Sequence, residues 1–372
     1  MKKIFIITGD YSGDLHAAKV VQALLNVSSD VVIEAVGGPN LAACGVKLFC
    51  NHAKMNAAGL NFKIIKDHLD LGGRIMNYLK NEFKPDLVLL IDYGGFNLGI
   101  SKFIKKELPK TKLFYYIPPQ IWASRKWRIN TVKKYIDKVL YIFPFEKKLY
   151  ENNGIDCEYV GHPLVEEIPP ATSKELFCEK YHLDKDKPLV GVFPGSRIFE
   201  IAMLMPVYIK AMSLLKEKIP NIQFVLCQSP NIKDELLKEY KIPHFVSVLK
   251  NCNYELLSAA DTLLLASGTV ALEAALYKTP MTVCYRGPWL FYLIYRLVRC
   301  IDKVSLPNII LGKEVVAELI QHKCKPNYIV NDMFNLLNDK NKRNEMIMKL
   351  SALHKKLSEK KTSEVVAKII LQ

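Results

Sequence analysis

An α/β protein of two doubly wound parallel domains, facing each other across a cleft, is the fold class that the sequence predicts. Three observations carry it. Short apolar runs of strand length alternate with amphipathic helical stretches along most of the chain, the pattern of parallel sheets covered by helices. Two of these runs, residues 3–8 and 189–193, each open a series of such units and lead through a glycine turn into a helix: GDYSGD at 9–14 and PGSR at 194–197. A stretch at 163–188, with Pro169-Pro170, separates the two series, and 372 residues is a length for two domains at roughly 150 residues each.

In the first half the strand at 3–8 passes through the turn at 9–14 into a helix at 16–25. A second strand at 31–36 ends in Gly37-Gly38-Pro39. Residues 62–83 are helical, with Gly72-Gly73 expected to break or bend the helix. A buried strand at 86–91 ends at Asp92, and the strand at 112–117 is stopped by Pro118-Pro119. Strands at 139–143 and 158–160 complete the half, which closes at Gly161-His162-Pro163. The second half repeats the design with strands at 189–193, 222–227, 244–248 and 262–266 and a long helix reaching about residue 218. The turn Ser267-Gly268-Thr269 leads into a helix at 270–277 that stops before Pro280, and from 314 onward the chain reads as helical. The domains are placed at 1–164 and 165–351, with the last segment, 352–372, able to complete the first.

The formal net charge of +15 calls for an anionic partner: nucleic acid, anionic lipid or a phosphorylated substrate. Charge alone does not choose among these, and the lysines, scattered along helical stretches without a nucleic-acid-binding signature, read mostly as solvated faces. Nine cysteines without a C-x-x-C pair read as reduced thiols of a cytosolic protein. The apolar run after Met1 is too short for a signal peptide, and no membrane span is expected. The aromatic stretch 288–298 reads as a buried helix, an interfacial helix or an oligomer contact.

Residues that could carry chemistry cluster at strand ends. Ser267, Gly268 and Thr269 lie where a helix begins, with free N–H groups and the positive end of the dipole suited to a phosphate. Glu273, one turn further on the same face, could accept hydrogen bonds from sugar hydroxyls. Gly195, Ser196 and Arg197 hold the equivalent position after the strand at 189–193, where the Arg197 guanidinium suits a diphosphate. The turn GDYSGD is not G-x-G-x-x-G, so it does not indicate a dinucleotide.

The strings FPGSRIFEIAMLMP, ASGTVALEAALYKTPMTVCYR, VSLPNIILGKEVVAELIQ and IFPFEKKLYENNGIDCEYVGHP, with the amino-terminal GDYSGD, resemble the lipid-A-disaccharide synthase family from end to end. That resemblance implies a GT-B glycosyltransferase of two Rossmann-like domains. The family joins UDP-2,3-diacylglucosamine to 2,3-diacylglucosamine 1-phosphate through a β-1,6 bond, releasing UDP at the cytoplasmic face of the inner membrane. By the family motif Asp92 is the base that takes the acceptor proton, and Asp10 at the neighbouring strand end shares or assists the role. The family positions also put Asn308 and Glu273 on the donor side, with Arg286 as a further phosphate contact. Ser12, Gly13, Asn97 and Trp122 fall on the acceptor and lipid side, and His162 has a structural place.

No cofactor or metal is expected, because GT-B enzymes use protein donors to stabilise the departing UDP. Net positive charge and the stretch 55–66 imply contact with an anionic membrane surface. A homodimer is compatible with the family, and no nucleic-acid partner is expected. Four positions depart from the family pattern, all in the first half. Asp10 stands for a glutamate, Asp92-Tyr93-Gly94-Gly95-Phe96-Asn97 for D-A-P-D-F-N, Ala57-Ala58-Gly59 for V-M-G, and Pro119 to Ser124 (PQIWAS) for P-S-V-W-A-W. A UDP-N-acetylglucosamine 2-epimerase of the same two-domain form, or a catalytically silent sugar-nucleotide or lipid-binding protein, stays open as an alternative.

Overall fold

The computed structural model describes residues 1–51, 62–288, 292, 301–357 and 361–372, with residues 62–65 by backbone alone. These form two compact units, Met1–Glu166 with Leu357–Gln372, and Glu167–Lys356. The loop Ala57-Ala58-Gly59, most of the stretch 55–66 and most of the aromatic stretch 288–298 lie outside the described residues.

The first unit is built on β1 (Lys2–Ile7), β2 (Val31–Gly37), β3 (Lys47–Asn51), β4 (Leu87–Ile91), β5 (Lys112–Tyr116), β6 (Lys138–Tyr141) and β7 (Cys157–Tyr159). They form one parallel sheet in the order β3-β2-β1-β4-β5-β6-β7. β4 is buried along its whole length, which is why it reads in sequence as an unbroken apolar run. The main helices are α1 (Tyr11–Val27), α2 (Phe62–Tyr78), α3 (Gly94–Glu107) and α4 (Arg128–Tyr135). Phe5, Ile7, Ile75, Leu79, Val88, Leu90, Ile104 and Tyr115 share one core between sheet and helices.

Three local expectations change. α1 starts at Tyr11 rather than at residue 16, because Asp10 caps it, so most of the expected turn is the first turn of a helix. α2 runs unbroken through Gly72-Gly73. The helix cost of about 1 kcal/mol per glycine is offset by burial of Leu71, Ile75 and Leu79 around them. β3 was not visible as a strand, because KLFCN is only partly buried at the edge of the sheet.

The second unit carries β8 (Leu189–Phe193), β9 (Gln223–Gln228), β10 (Val246–Lys250), β11 (Thr262–Ala266), β12 (Met281–Tyr285) and β13 (Ala317–Ile320). Their order is β10-β9-β8-β11-β12-β13, again parallel. β13 corrects the expectation of an all-helical segment after 314; it too is a partly buried edge strand. The helices that matter below are α5 (Ile198–Lys218), α6 (Thr269–Leu276), α7 (Leu306–Leu311), α8 (Pro326–Asn338) and α9 (Lys340–Lys356). By length and composition α5 could cross a membrane, contrary to the expectation of no such segment. It is a core helix here: Met205, Tyr208, Met212 and Leu215 are buried and it packs on α8. The last helix, α10 (Thr362–Leu371), returns to the first unit, packs on α1, and has Lys2 Nζ donating to the Ile370 carbonyl at 2.5 Å.

In each unit the first strand lies beside the strand that begins the opposite run of the sheet: β1 beside β4, with Ile7 opposite Leu90, and β8 beside β11, with Phe193 opposite Leu265. Connections leave such a pair in opposite directions, so a crevice opens at the carboxyl ends of the two strands. Asp10 and Asp92 follow one pair; Gly195 and Ser267 follow the other.

Candidate active site

At the β8/β11 crevice the second unit holds a 270 Å³ cavity lined by Gly195, Ser196, Arg197, Ser267, Gly268, Thr269 and Glu273, together with Glu200, Cys227, Ser229 and Asn253. Gly195 sits at φ +117°, and a Cβ there would lie 2.5 Å from Glu200 Oε2, so only glycine fits. The Glu200 carboxylate receives the Ser196 and Arg197 backbone N–H groups at 2.9 and 3.2 Å and the Arg197 guanidinium at 2.8 Å. The amino end of α5, which the sequence reserves for a diphosphate, is therefore met by the chain's own anion. The end of α6 differs. Gly268 gives it no side-chain cap, and no atom lies within 4 Å of the Cβ that Gly268 lacks. That open helix end, flanked by the largely exposed Arg197 side chain, leaves backbone N–H groups free to receive an anion.

Glu273 is pushed up to about 7, first by burial and then by the charge of Glu167. Near neutrality it can both donate and accept hydrogen bonds, which suits sugar hydroxyls. Two further residues expected on the donor side do not line this cavity. Asn308 is buried: its Nδ2 donates to the Val316 carbonyl and Glu318 Oε1, and its Oδ1 accepts from the N–H groups of Val315 and Val316. Its amide is spent on joining α7 to the β13 segment. Arg286 is exposed beyond the end of β12 and does not line the cavity.

In the first unit, Asp10 is first of all a helix cap. Its Oδ1 accepts from Gly13 N at 2.7 Å and Ser12 Oγ at 3.0 Å, so Ser12 and Gly13, expected on the acceptor side, spend these polar groups on holding Asp10. Asp14, which the sequence reading passed over, is buried and receives the N–H groups of Gly38 and Asn40 at 2.6 and 2.8 Å. Asp92 stands differently. It and Tyr93 hold φ of 46° and 48°, a left-handed bend that turns the chain out of β4. Asn97 Nδ2 donates to the carbonyls of Ile91 and Asp92, and Tyr115 Oη donates to the Asp92 carbonyl at 2.7 Å. Fully buried, Asn97 is thus a brace for the Asp92 backbone, not a wall of the acceptor site. The Tyr93 ring lies against Gly9, where a Cβ would sit 2.0 Å from its Cγ, and Tyr93 Oη meets His68 Nε2 at 2.5 Å. This leaves the Asp92 carboxyl raised above the usual range, by burial first and by the charge of Asp10 second.

Two cavities meet at this bend. One, of 600 Å³, is an apolar slot between α2 and α3, with Leu69, Met76, Phe96, Ile100 and Phe103 along it and Tyr93 and Gly95 at its Asp92 end. Gly72, Gly73, Gly95 and Gly99 line it, and no atom lies within 4 Å of the Cβ each lacks, so the missing side chains are the free space of the slot. The other, of 350 Å³, is lined by Asp92, Gly94, Gly95, Arg125, Arg128 and Glu146 among others. Trp122 does not line it. Its ring makes edge contacts with Phe143 and Phe145 at 5.8 and 4.9 Å. His162 is buried, accepts from Leu164 N through Nδ1, and is held down to about 3 by burial, so it stays neutral.

Two doubly wound parallel units, one with an open helix end beside a partly buried glutamate, the other with a bent-out carboxylate, have the form of the GT-B class. The fold is shared with the crystal structure of UDP-GlcNAc 2-epimerase from Neisseria meningitidis bound to UDP-GlcNAc, at a TM-score of 0.69 over 100% of both chains and 13% identity. At that identity the likeness is one of fold alone. In sequence the chain is 36% identical over 373 residues to a lipid-A-disaccharide synthase of Coxiella burnetii, covering 99% of this chain and 98% of the relative. It is 36% identical over 363 residues to that of Syntrophus aciditrophicus, covering 96% and 94%. The family model described as lipid-A-disaccharide synthetase matches residues 4–370, and the chain belongs to that family.

The cavity beside Asp92 generates a stability prediction. Glu146 accepts from Phe143 N at 3.0 Å and is pushed from 4.5 up to about 8 by burial, against the backbone N–H groups of Phe143 and Ile142 and the nearby Trp122 indole. The folded state therefore holds its proton more tightly than the unfolded chain. The stability this contributes is full below about 4.5 and is lost as pH rises towards about 8, on the order of 4 kcal/mol in all. Glu146→Gln keeps the acceptor and cannot ionise. Urea-unfolding midpoints from pH 4 to about 9 are expected to fall more steeply for the native chain than for the variant; parallel curves would show that Glu146 does not hold a proton.

Proposed function

We propose that this protein transfers the 2,3-diacylglucosaminyl group of UDP-2,3-diacylglucosamine to the 6-hydroxyl of 2,3-diacylglucosamine 1-phosphate with inversion. The products are the β-1,6 disaccharide 1-phosphate and UDP. The observation that carries the reading, beside family membership, is the position of Asp92: one carboxylate at the junction of a polar cavity and an apolar slot, as a sugar with fatty acyl chains requires.

The nucleotide half of the donor binds the second unit. Its diphosphate meets the N–H groups at the amino end of α6 and the Arg197 guanidinium, and its sugar hydroxyls meet Glu273. Asp92, carried by the first unit, takes the proton from the acceptor hydroxyl as that oxygen bonds to the anomeric carbon. The bond from that carbon to the phosphate oxygen breaks, and its electron pair leaves with UDP. Negative charge then grows on the leaving phosphate, where the α6 dipole and Arg197 oppose it. A base shielded from water and beside a second carboxylate holds its proton to a higher pH, which makes its anion a stronger acceptor. Asp10 tunes that basicity while capping α1.

The acyl chains require a dry site near a membrane. The glycine-lined slot accepts one chain. Tyr11, Leu69, Phe103 and Trp127, between 55% and 65% exposed, give the first unit an apolar surface, and the net charge of +15 favours the anionic cytoplasmic face of the inner membrane. The enzyme is read as a peripheral protein there.

Mass-spectrometric detection of disaccharide phosphate and UDP from the two purified substrates tests the reaction. Asp92→Asn is expected to lower kcat by about 10²–10⁴-fold, and conversion of the donor sugar to its 2-epimer instead would replace this reading with the epimerase one. In the native protein kcat/KM should rise with pH through the raised Asp92 value. Asp10→Asn, which still caps, should shift that limb to lower pH; an unmoved limb would remove Asp10 from any electrostatic role. Gly99→Leu fills the slot, so in competition between donors and acceptors of different chain length it should move preference to shorter chains, by about fourfold per methylene excluded. Unchanged preference would place the chains elsewhere. Phe103→Ala with Trp127→Ala should weaken sedimentation with anionic vesicles by roughly 10-fold or more, and full retention would move the membrane contact to another surface.

A further inference from the structure

Arg125 and Arg128 belong to no motif used above, and both line the 350 Å³ cavity that Asp92 also lines. Arg128 N donates to the Arg125 carbonyl at 3.0 Å, a turn that presents the two guanidiniums to one space. Arg125 holds φ +57° within it, as does Ile117 at +53° on the same wall, conformations that side-chain-bearing residues keep only where the surroundings enforce them. Among the described residues neither arginine has a carboxylate partner, whereas Lys80, Lys105, Lys174 and Lys180 each pair with one. Two cations without a counter-charge, one of them partly buried, repel each other. Burial and the Arg125 charge together lower the Arg128 value.

The rest of the cavity does not supply the missing negative charge. Glu146, at its base, keeps its proton near neutrality because it is buried. The amino end of α3 adds to the demand for an anion: Tyr93 gives no side-chain cap, and Gly94 and Gly95 face the cavity. A Cβ at Gly94 would lie 3.4 Å from Arg128 Nη1, so the guanidinium stands directly beside that helix end. Asp92 is the remaining carboxylate, and it belongs to the base.

Resting on the transfer reading above, we propose that Arg125, Arg128 and the amino end of α3 form a phosphate-monoester subsite that holds the anomeric phosphate of the acceptor sugar. Guanidinium forks and a helix dipole are the groups that recognise a doubly charged phosphate. The reacting hydroxyl and the anomeric phosphate lie at different corners of one sugar ring. Anchoring the phosphate at the arginines would leave the hydroxyl to Asp92, and would tell a phosphorylated acceptor from a phosphate-free one.

The test is the ratio of kcat/KM for 2,3-diacylglucosamine 1-phosphate to that for 2,3-diacylglucosamine, in the full-length protein and in Arg125→Gln and Arg128→Gln. Each substitution is expected to lower the ratio by about 10-fold to 100-fold, the range of one charge-assisted hydrogen bond, with the donor KM unchanged. Equal losses on both acceptors, or an unchanged ratio, overturn the subsite. Calorimetric binding of glucosamine 1-phosphate against glucosamine separates this from the transfer reading. If no acceptor is turned over but the native protein selects the phosphorylated sugar and the variants do not, the subsite stands and the reaction assignment falls. If the native protein binds both sugars alike, the subsite falls. Variants that keep acceptor selectivity but lose sedimentation with anionic vesicles would assign the arginines to lipid headgroups and overturn the proposal.

Discussion

A parallel strand that runs into a helix leaves a set of unpaired backbone N–H groups at the carboxyl edge of its sheet, and the disposal of those groups governs this molecule. At each crevice two helices begin side by side. In the first unit the Asp10 carboxylate caps α1, while α3 starts after Tyr93 without a side-chain cap. In the second unit Glu200 satisfies the turn into α5, while α6 starts after Gly268 without one. In both units the helix after the first strand is closed by the chain and the helix after its neighbour is left open. Each open end is worth about 0.3–2 kcal/mol to an anion placed there, and each has an arginine nearby. Each unit thus keeps one helix start without a side-chain cap and with an arginine beside it.

The same economy of charge sets the carboxyl groups. Asp92, Glu146 and Glu273 are all raised, in each case by burial first. A buried carboxylate without a cation is costly, so each group meets the cost by holding its proton longer. That leaves the Arg125 and Arg128 guanidiniums, among the described residues, without a carboxylate paired to them. The exception is Arg197, which Glu200 engages while most of its side chain stays exposed. A diphosphate at α6 would compete with Glu200 for that guanidinium with a larger charge.

Much of this was legible in the sequence. β1, β4, β8 and β11 are covered on both faces, so they appear as plain apolar runs, and the turns after them contain the small residues that a helix start at a crevice needs. β3 and β13 escaped because edge strands are partly exposed and their residues alternate too weakly to stand out from a loop. Asn97 and Asn308 show a different limit. A matching motif marks a position as important, but it does not say whether the amide faces a ligand or the backbone; here both face the backbone. Arg125, Arg128 and Glu146 escaped for the converse reason. What distinguishes them is the absence of a partner or of water in three dimensions, and no spacing in the chain encodes an absence.

The departures from the family pattern at residues 92–97 gain a physical meaning on this basis. Where the pattern has proline and aspartate, this chain has Gly94 and Gly95. A side chain at 94 would press on Pro119, 2.7 Å from the position of its Cβ, and on Arg128. An aspartate at 95 would place a carboxylate in the first turn of α3, beside both the dipole and the guanidinium pair. It would add a carboxylate to that of Asp92 and partly neutralise the guanidinium pair. Gly95 also lies at the junction of the slot and the cavity, where any side chain would narrow the passage from acyl chain to sugar. The two glycines therefore let Arg128 stand beside the helix end, add no carboxylate there, and keep the slot open towards Asp92. A change that looks in sequence like erosion of a motif is, in the folded chain, what makes room for Pro119 and Arg128 at the start of α3 and keeps slot and cavity connected.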